Sequence, residues 1–269
     1  MRFRPLLLLL ILISSGCGPQ TGAGHPFEKA YPAAGVTGIQ IIMDRGQILV
    51  QGSTVDNILF SGETWAEIDP STTTDGKTLV IDLGDSLKSD IVRINLPADL
   101  TLEIQAFDVD LELVSVEGNL TIRDTAGDII LEDFQGEARL WAGRGDITVR
   151  GGSGRLIVIG EHGNLRVEDF SGPATMTTIM GKIEYAGAVG NDGDVLLEVD
   201  HGPVKAILPE ESDYRIEINS ASGEIICQGG NLGRTIAGCA GSTGDGNGTL
   251  RIRTVSGRIE FYILSEKER

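Results

Sequence analysis

The residues most capable of chemistry are two identical acid pairs, Glu132-Asp133 and Glu168-Asp169, each followed by a Phe and then, two residues on, by a Gly. Paired carboxylates can cleave a glycosidic bond, one as acid and the other as nucleophile or base, and Asp108, Asp110 and Glu112 form a second alternating set. Regular outward acids are also what any solvated acidic sheet displays, so only a cleft would make them catalytic. Trp141 with Arg139 and Arg144 is the other grouping of interest, an aromatic face between two cations that could stack on a sugar ring. A Trp packed at a chain corner is the plainer alternative.

Cys227 and Cys239 stand twelve residues apart. Outside the cytosol they could close one disulfide, stabilising by roughly 3 kcal/mol on a chain-entropy estimate. Alternatively Cys227 fills an inward apolar place and Cys239 lies idle in a loop. A zinc pair does not fit, because His25, His162 and His201 form no ligand pattern. Calcium rolls repeat Gly-Gly-x-Gly-x-Asp, and Gly151-Gly152-Ser153-Gly154 begins that way, but Leu156 stands where the Asp ligand belongs. Asn191-Asp192-Gly193-Asp194 reads better as a solvated turn than as a calcium loop. No cofactor or metal is expected.

These residues must be positioned by a repeating frame. Gly118, Gly127, Gly136, Gly145, Gly154, Gly163, Gly172 and Gly181 are spaced by nine, and the second and fourth residues after each are mostly apolar, as in Leu120 and Ile122 or Ile147 and Val149. A spacing of two means strand, with both apolar side chains on one face. One such strand cannot bury its face alone, whereas stacked copies can. The frame therefore predicts an all-β, right-handed parallel β-helix, a β-solenoid. Glu132 to Gly136 returns as Glu168 to Gly172 after twice eighteen residues, which predicts two frames per coil; a three-frame coil of twenty-seven is the alternative.

Gly numbers 37 of 269 residues, and Asp and Glu number 39 against 22 Lys and Arg, giving a formal net charge of -17. That surface repels nucleic acid and offers no basic stripe to rescue such binding. It suits a solvated, exported repeat protein.

Residues 1–16 carry two arginines, an apolar run from Leu6 to Ile13 and small residues before Cys17. The run is too short to span a membrane and reads as an export signal. It resembles a bacterial lipoprotein leader, which implies that Cys17 receives the lipid, although Ser14 stands where Leu is usual; an ordinary secretory signal with a coincidental Cys is the alternative. Gly18 after that Cys resembles an outer-membrane destination in such lipoproteins. Residues 17–30 read as a tether. In residues 31–97, short turns between alternating strands predict an antiparallel N-terminal β cap over the open end of the stack. Residues 98–208 hold the repeats, interrupted at Gly190 to Gly193. Residues 209–264 return to the frame around a Gly-rich loop, 229–248, with the strand from Arg258 to Leu264 closing the far end.

Frames such as Arg144-Gly145-Asp146-Ile147-Thr148-Val149, His162-Gly163-Asn164-Leu165-Arg166-Val167 and Val255-Ser256-Gly257-Arg258-Ile259-Glu260 resemble the bacterial candidate-adhesin β-helix family, also described as an autotransporter-adhesin-head-like domain of unknown function. The resemblance spans Val36 to Leu264 and implies an exported or envelope-attached solenoid, with no catalytic residues to carry over. The expectation is a non-catalytic, lipid-anchored scaffold of the cell envelope for binding, adhesion or structure, facing the periplasm or the surface. Its partners would be the membrane, through the anchor, and an envelope or extracellular protein or polysaccharide. A carbohydrate-active enzyme, a polysaccharide lyase or hydrolase on a β-helix, is the alternative.

Overall fold

The structure, a computed structural model, describes residues 25–64, 71–72, 76–84, 91–188, 193–229 and 231–265. The leader, Cys17 and the insertion residues Asn191 and Asp192 lie outside them. The described strands begin with β1 (His25–Pro32), β2 (Gly38–Ser53), β3 (Asn57–Thr64), β4 (Ser71–Thr72), β5 (Thr78–Gly84) and β6 (Ile91–Pro97). The regular part is β7 (Thr101–Val114), β8 (Glu117–Ala126), β9 (Ile129–Arg144), β10 (Ile147–His162), β11 (Leu165–Phe170), β12 (Ala174–Met180), β13 (Ile183–Gly187), β14 (Val195–His201) and β15 (Val204–Pro209). The chain ends in β16 (Tyr214–Ser222), β17 (Ile225–Gln228), β18 (Asn231–Arg234), β19 (Gly238–Ser242), β20 (Gly248–Ser256) and β21 (Ile259–Leu264).

Through the regular part each strand pairs in parallel with the chain eighteen residues on: Leu102 with Leu120, Leu120 with Ala138, Ala138 with Leu156, Leu156 with Ala174. A second series runs Leu111, Ile129, Ile147, Leu165, Ile183. One coil is thus two nine-residue frames, giving two stacked walls; we call the Leu102 series wall A and the Leu111 series wall B. The inward pairs of both walls, together with those of β2, β5 and β6, are buried in a single core. The insertion after Gly181 lengthens the offset to twenty-one, Ala174 with Val195 and Ile183 with Val204, without breaking either ladder.

The repeated glycines stand at the corners. Gly145 has φ +114°, and a Cβ there would lie 2.0 Å from the carbonyl oxygen of Gly127 in the coil before it. The period of nine therefore records close backbone contact between coils as well as turn geometry.

Both ends depart from the sequence order. β2 pairs with β7 on one side and with β5 and β6 on the other, all parallel, so the chain places its first full coil in second position, builds the outermost coil next, and then steps back across β2 to start β7. At the other end β14 and β15 pair with β20 and β21, which in turn pair with β16 and β17. The last coil in sequence is the second last in space. A Leu-Pro pair marks each skip. Pro97 ends β6 beside Ser53, and Ala98 N donates to Ser53 O; Pro209 ends β15 beside Leu264, and Glu210 N donates to Leu264 O.

The tether expected over residues 17–30 is shortened, because residues 25–30 belong to β1 and pair with β3, and three further expectations are corrected here. Residues 31–97 are not an antiparallel cap apart from the stack: β2, β5 and β6 are parallel coils of it, and among the described strands there only β1, β3 and β4 run antiparallel. The 229–248 segment is no plain loop, because β18 and β19 form an antiparallel hairpin along β16. The strand from Arg258 to Leu264 does not close the far end, since β17 lies beyond it. In each case short turns and glycines signal a reversal locally, but the coil on which the returning strand lands is chosen by long-range pairing.

Candidate functional site

The Glu-Asp-Phe motif is architectural. Asp133 and Asp169 adopt φ of 53° and 52°, the left-handed conformation that Asp tolerates at a corner, and Phe134 and Phe170 turn fully into the core. Burying each ring stabilises by roughly 2–3 kcal/mol. Glu132 and Glu168 face outward on wall B, where Arg150 sits between them at 2.9 Å and 3.9 Å. Arg166 continues the row to Glu168 and Glu184, and Lys182 also pairs with Glu184. These acids are committed to an exposed ion-pair ladder along a flat wall.

Asp124 is the carboxylate that burial affects most. It points inward at a wall A corner, fully buried, with Oδ1 accepting from Ala126 N at 3.2 Å and Oδ2 without a hydrogen-bond partner. Burial raises its pKa to about 7, the amides of Ala126 and Val109 offset this in part, and the carboxylates of Asp108 and Asp110 add to the rise. With no exposed surface it presents nothing to a substrate, so its consequence is for stability. Among the described residues no group of three or more His, Cys, Asp or Glu side chains is arranged to hold a metal ion. His162 and His201 fall in one column with Met180 between them. Asp194 serves the stack, its Oδ1 accepting from Thr249 N at 3.0 Å.

Cys227 and Cys239 are joined as a disulfide that ties β19 to β17. The β18–β19 hairpin thus lies along β16 and is fastened across the end of the core to wall B. A cavity of about 430 Å³ opens beneath it, lined by Ile225, Cys227, Leu232 and Ile236 among others. Another, of about 440 Å³, lies at the opposite end between β3 and wall B, with Leu49, Leu59 and Val114 beside Arg93 and Asn95.

Arg139 and Trp141 project from the same outward face of wall A, while Arg144 lies past the buried corner of Ala142 and Gly143, in line with Ala126 and His162. The structure unites two of the three sequence candidates. Trp141 leans over the corner, its Cη2 3.4 Å from where a Cβ on Gly143 would stand. Ile159 lies directly across from Trp141 on the next strand and is 41% exposed, and Ile157 lies across from Arg139. Arg123 lies across from Trp141 on the preceding strand. Sequence reasoning missed Arg123, Ile157 and Ile159; their spacing from Trp141 and Arg139 becomes a signal once the coil is known to be eighteen residues.

A stacked parallel sheet with two walls, one core and exposed side-chain columns defines the molecule as an all-β solenoid. The chain belongs to the Toastrack DUF4097 family, whose model matches residues 36–261. Among solved structures, a candidate adhesin from Bacteroides fragilis is 13% identical, covering 88% of this chain and 97% of its own, with a TM-score of 0.49. A candidate adhesin from Parabacteroides distasonis is 12% identical, covering 89% and 98%, with a TM-score of 0.41. A candidate cell adhesion protein from Clostridium sporogenes is 13% identical, covering 90% and 100%, with a TM-score of 0.28. No curated protein matches. With those TM-scores all below 0.5, the assignment rests on the family match.

Proposed function

We propose that this chain is a non-catalytic binding, adhesion or structural scaffold of the bacterial cell envelope, anchored by lipid on Cys17 to the outer membrane and facing the periplasm or the surface. The solenoid would wind right-handed, as parallel crossover connections do. The observation that carries the binding role is the shared outward face of Arg139 and Trp141, with Ile157 and Ile159 beside them, on strands paired along both edges. A rigid ladder holds such groups at fixed spacing without ordering cost on binding, which favours broad contact with a polymer or protein. The leader sequence supports the anchor. The ion-paired, exposed state of Glu132 and Glu168 supports a scaffold over the polysaccharide lyase or hydrolase alternative.

Crosslinking and capture from intact envelopes tests the role. The wild type is expected to retain an envelope component that Trp141→Ala loses. Incorporation of labelled palmitate that disappears in Cys17→Ala tests the anchor, and an unlabelled wild type refutes it. Cleavage of any glycan that vanishes on replacing Glu132 or Glu168 would overturn the non-catalytic assignment.

A further inference from the structure

Wall A carries two parallel oblique rows. Arg123, Arg139 and Arg155 lie on three successive coils, each displaced by one strand and two residues from the last. Trp141, Ile157 and Pro173 form a second row with the same displacement, one strand further along. The rise along a strand and the spacing between strands put each step at about 8 Å. All three arginines are exposed, and the second row is half-buried. Arg139 pairs with Glu137, which also stands directly across from Arg155 on the same face, and Arg123 and Arg155 make no ion pair among the described residues, so three guanidinium groups face one carboxylate. A cationic stripe therefore runs beside an apolar, aromatic one on a chain of net charge -17.

Building on the scaffold reading, we infer that these rows bind a linear polysaccharide bearing carboxylates. Each guanidinium presents a planar fork that matches a carboxylate, and Trp141 and Ile157 offer the apolar surface on which sugar rings rest. The strands of this face are hydrogen-bonded on both edges, so a peptide cannot join by adding a strand. A stiff, flat polymer with anions at intervals meets the geometry. The acids of wall B lie on the opposite side of the core, about 10 Å or more away. At physiological salt a Debye length of about 8 Å screens their repulsion, while arginine contacts persist.

The test uses detergent-solubilised full chain, immobilised polygalacturonate, neutral dextran and polyglutamate, each with and without a chelator. Polygalacturonate should be retained, and more weakly as salt rises; dextran and polyglutamate should not. Arg123→Gln/Arg155→Gln should weaken retention about tenfold, Trp141→Ala should also weaken it, and both should melt as the wild type does. Equal retention of polyglutamate, preference for dextran, loss in chelator, or indifference to the double substitution would each overturn the inference. Failure here is distinguishable from failure of the scaffold reading: envelope capture that persists in Arg123→Gln/Arg155→Gln and is lost in Trp141→Ala leaves that reading in place, while a wild type that captures nothing refutes it independently.

Discussion

The backbone amide of Asp146 donates to Oδ1 of Asp128 at 2.7 Å, one coil back across a single strand spacing. The same bond joins Asp128 N to Asp110 at 3.0 Å, Asn164 N to Asp146 at 2.8 Å and Lys182 N to Asn164 at 3.1 Å. The outward Asp110, Asp128, Asp146 and Asn164 at the start of successive wall B frames are thus acceptors that fasten neighbouring coils. Asp128→Ala removes one acceptor and should cost about 1 kcal/mol in urea unfolding. Asp128→Asn keeps the acceptor, as Asn164 does naturally, and lessens repulsion between stacked carboxylates, so it should be neutral or stabilising. Equal losses in both variants would exclude this role.

Gly145→Ala places a Cβ 2.0 Å from the Gly127 carbonyl oxygen at a positive φ, so coils must separate; a loss of about 3 kcal/mol or more, or failure to fold, is expected. Gly35 also has positive φ, +87°, but nothing within 4 Å. Gly35→Ala should cost only about 1 kcal/mol. Thermal melts of the two variants separate coil contact from backbone conformation.

Asp124 makes stability depend on pH. Its folded pKa, about 7, lies above the ordinary 3.8, so the folded chain holds a proton that the unfolded chain releases. Its favourable contribution is complete below about pH 4 and is lost as pH rises to 7, a swing of about 4 kcal/mol at most. Asp124→Asn retains an oxygen for Ala126 N and cannot ionise. Its melting temperature should match the wild type near pH 4 and exceed it by several degrees at pH 8; a constant difference across that range would refute the assignment.

Truncation after Asn247 should be far more damaging than removal of β1. Without β20 and β21, the inner edges of β14, β15, β16 and β17 lose their partners together, whereas among the described residues β1 pairs only with β3. The truncated chain should aggregate or be degraded, while the chain lacking β1 should still melt cooperatively.

Reduction of Cys227–Cys239 releases a constraint worth about 3 kcal/mol on the chain-entropy estimate. Hydrogen exchange should quicken mainly in β18 and β19, because β16 remains held by β20. Uniform acceleration throughout wall A would show that the bond supports the stack rather than its end.

The architecture was legible because the frame acts locally. Two apolar residues separated by one polar residue make a half-buried strand wherever they fall, and Gly recurs where consecutive coils touch, as at Gly127 and Gly145. Leu156, occupying the place of a calcium ligand, already marked that position as core. The acid pairs stayed open between two readings for the same reason: Asp133 and Asp169 recur because a corner tolerates Asp, and nothing in their spacing distinguishes a corner from a cleft.

The sequence by itself determined the strands, their inward faces and the repeat that lets them stack. Only the tertiary structure decided which coil lies against which. Every coil offers nearly the same pair of apolar side chains, so local periodicity accepts any neighbour, and placing β2 and β20–β21 inside the stack required pairings across 34 to 63 residues. The oblique rows of Arg123 and Trp141 share that origin. Residues sixteen apart become neighbours only after eighteen-residue coils are laid side by side.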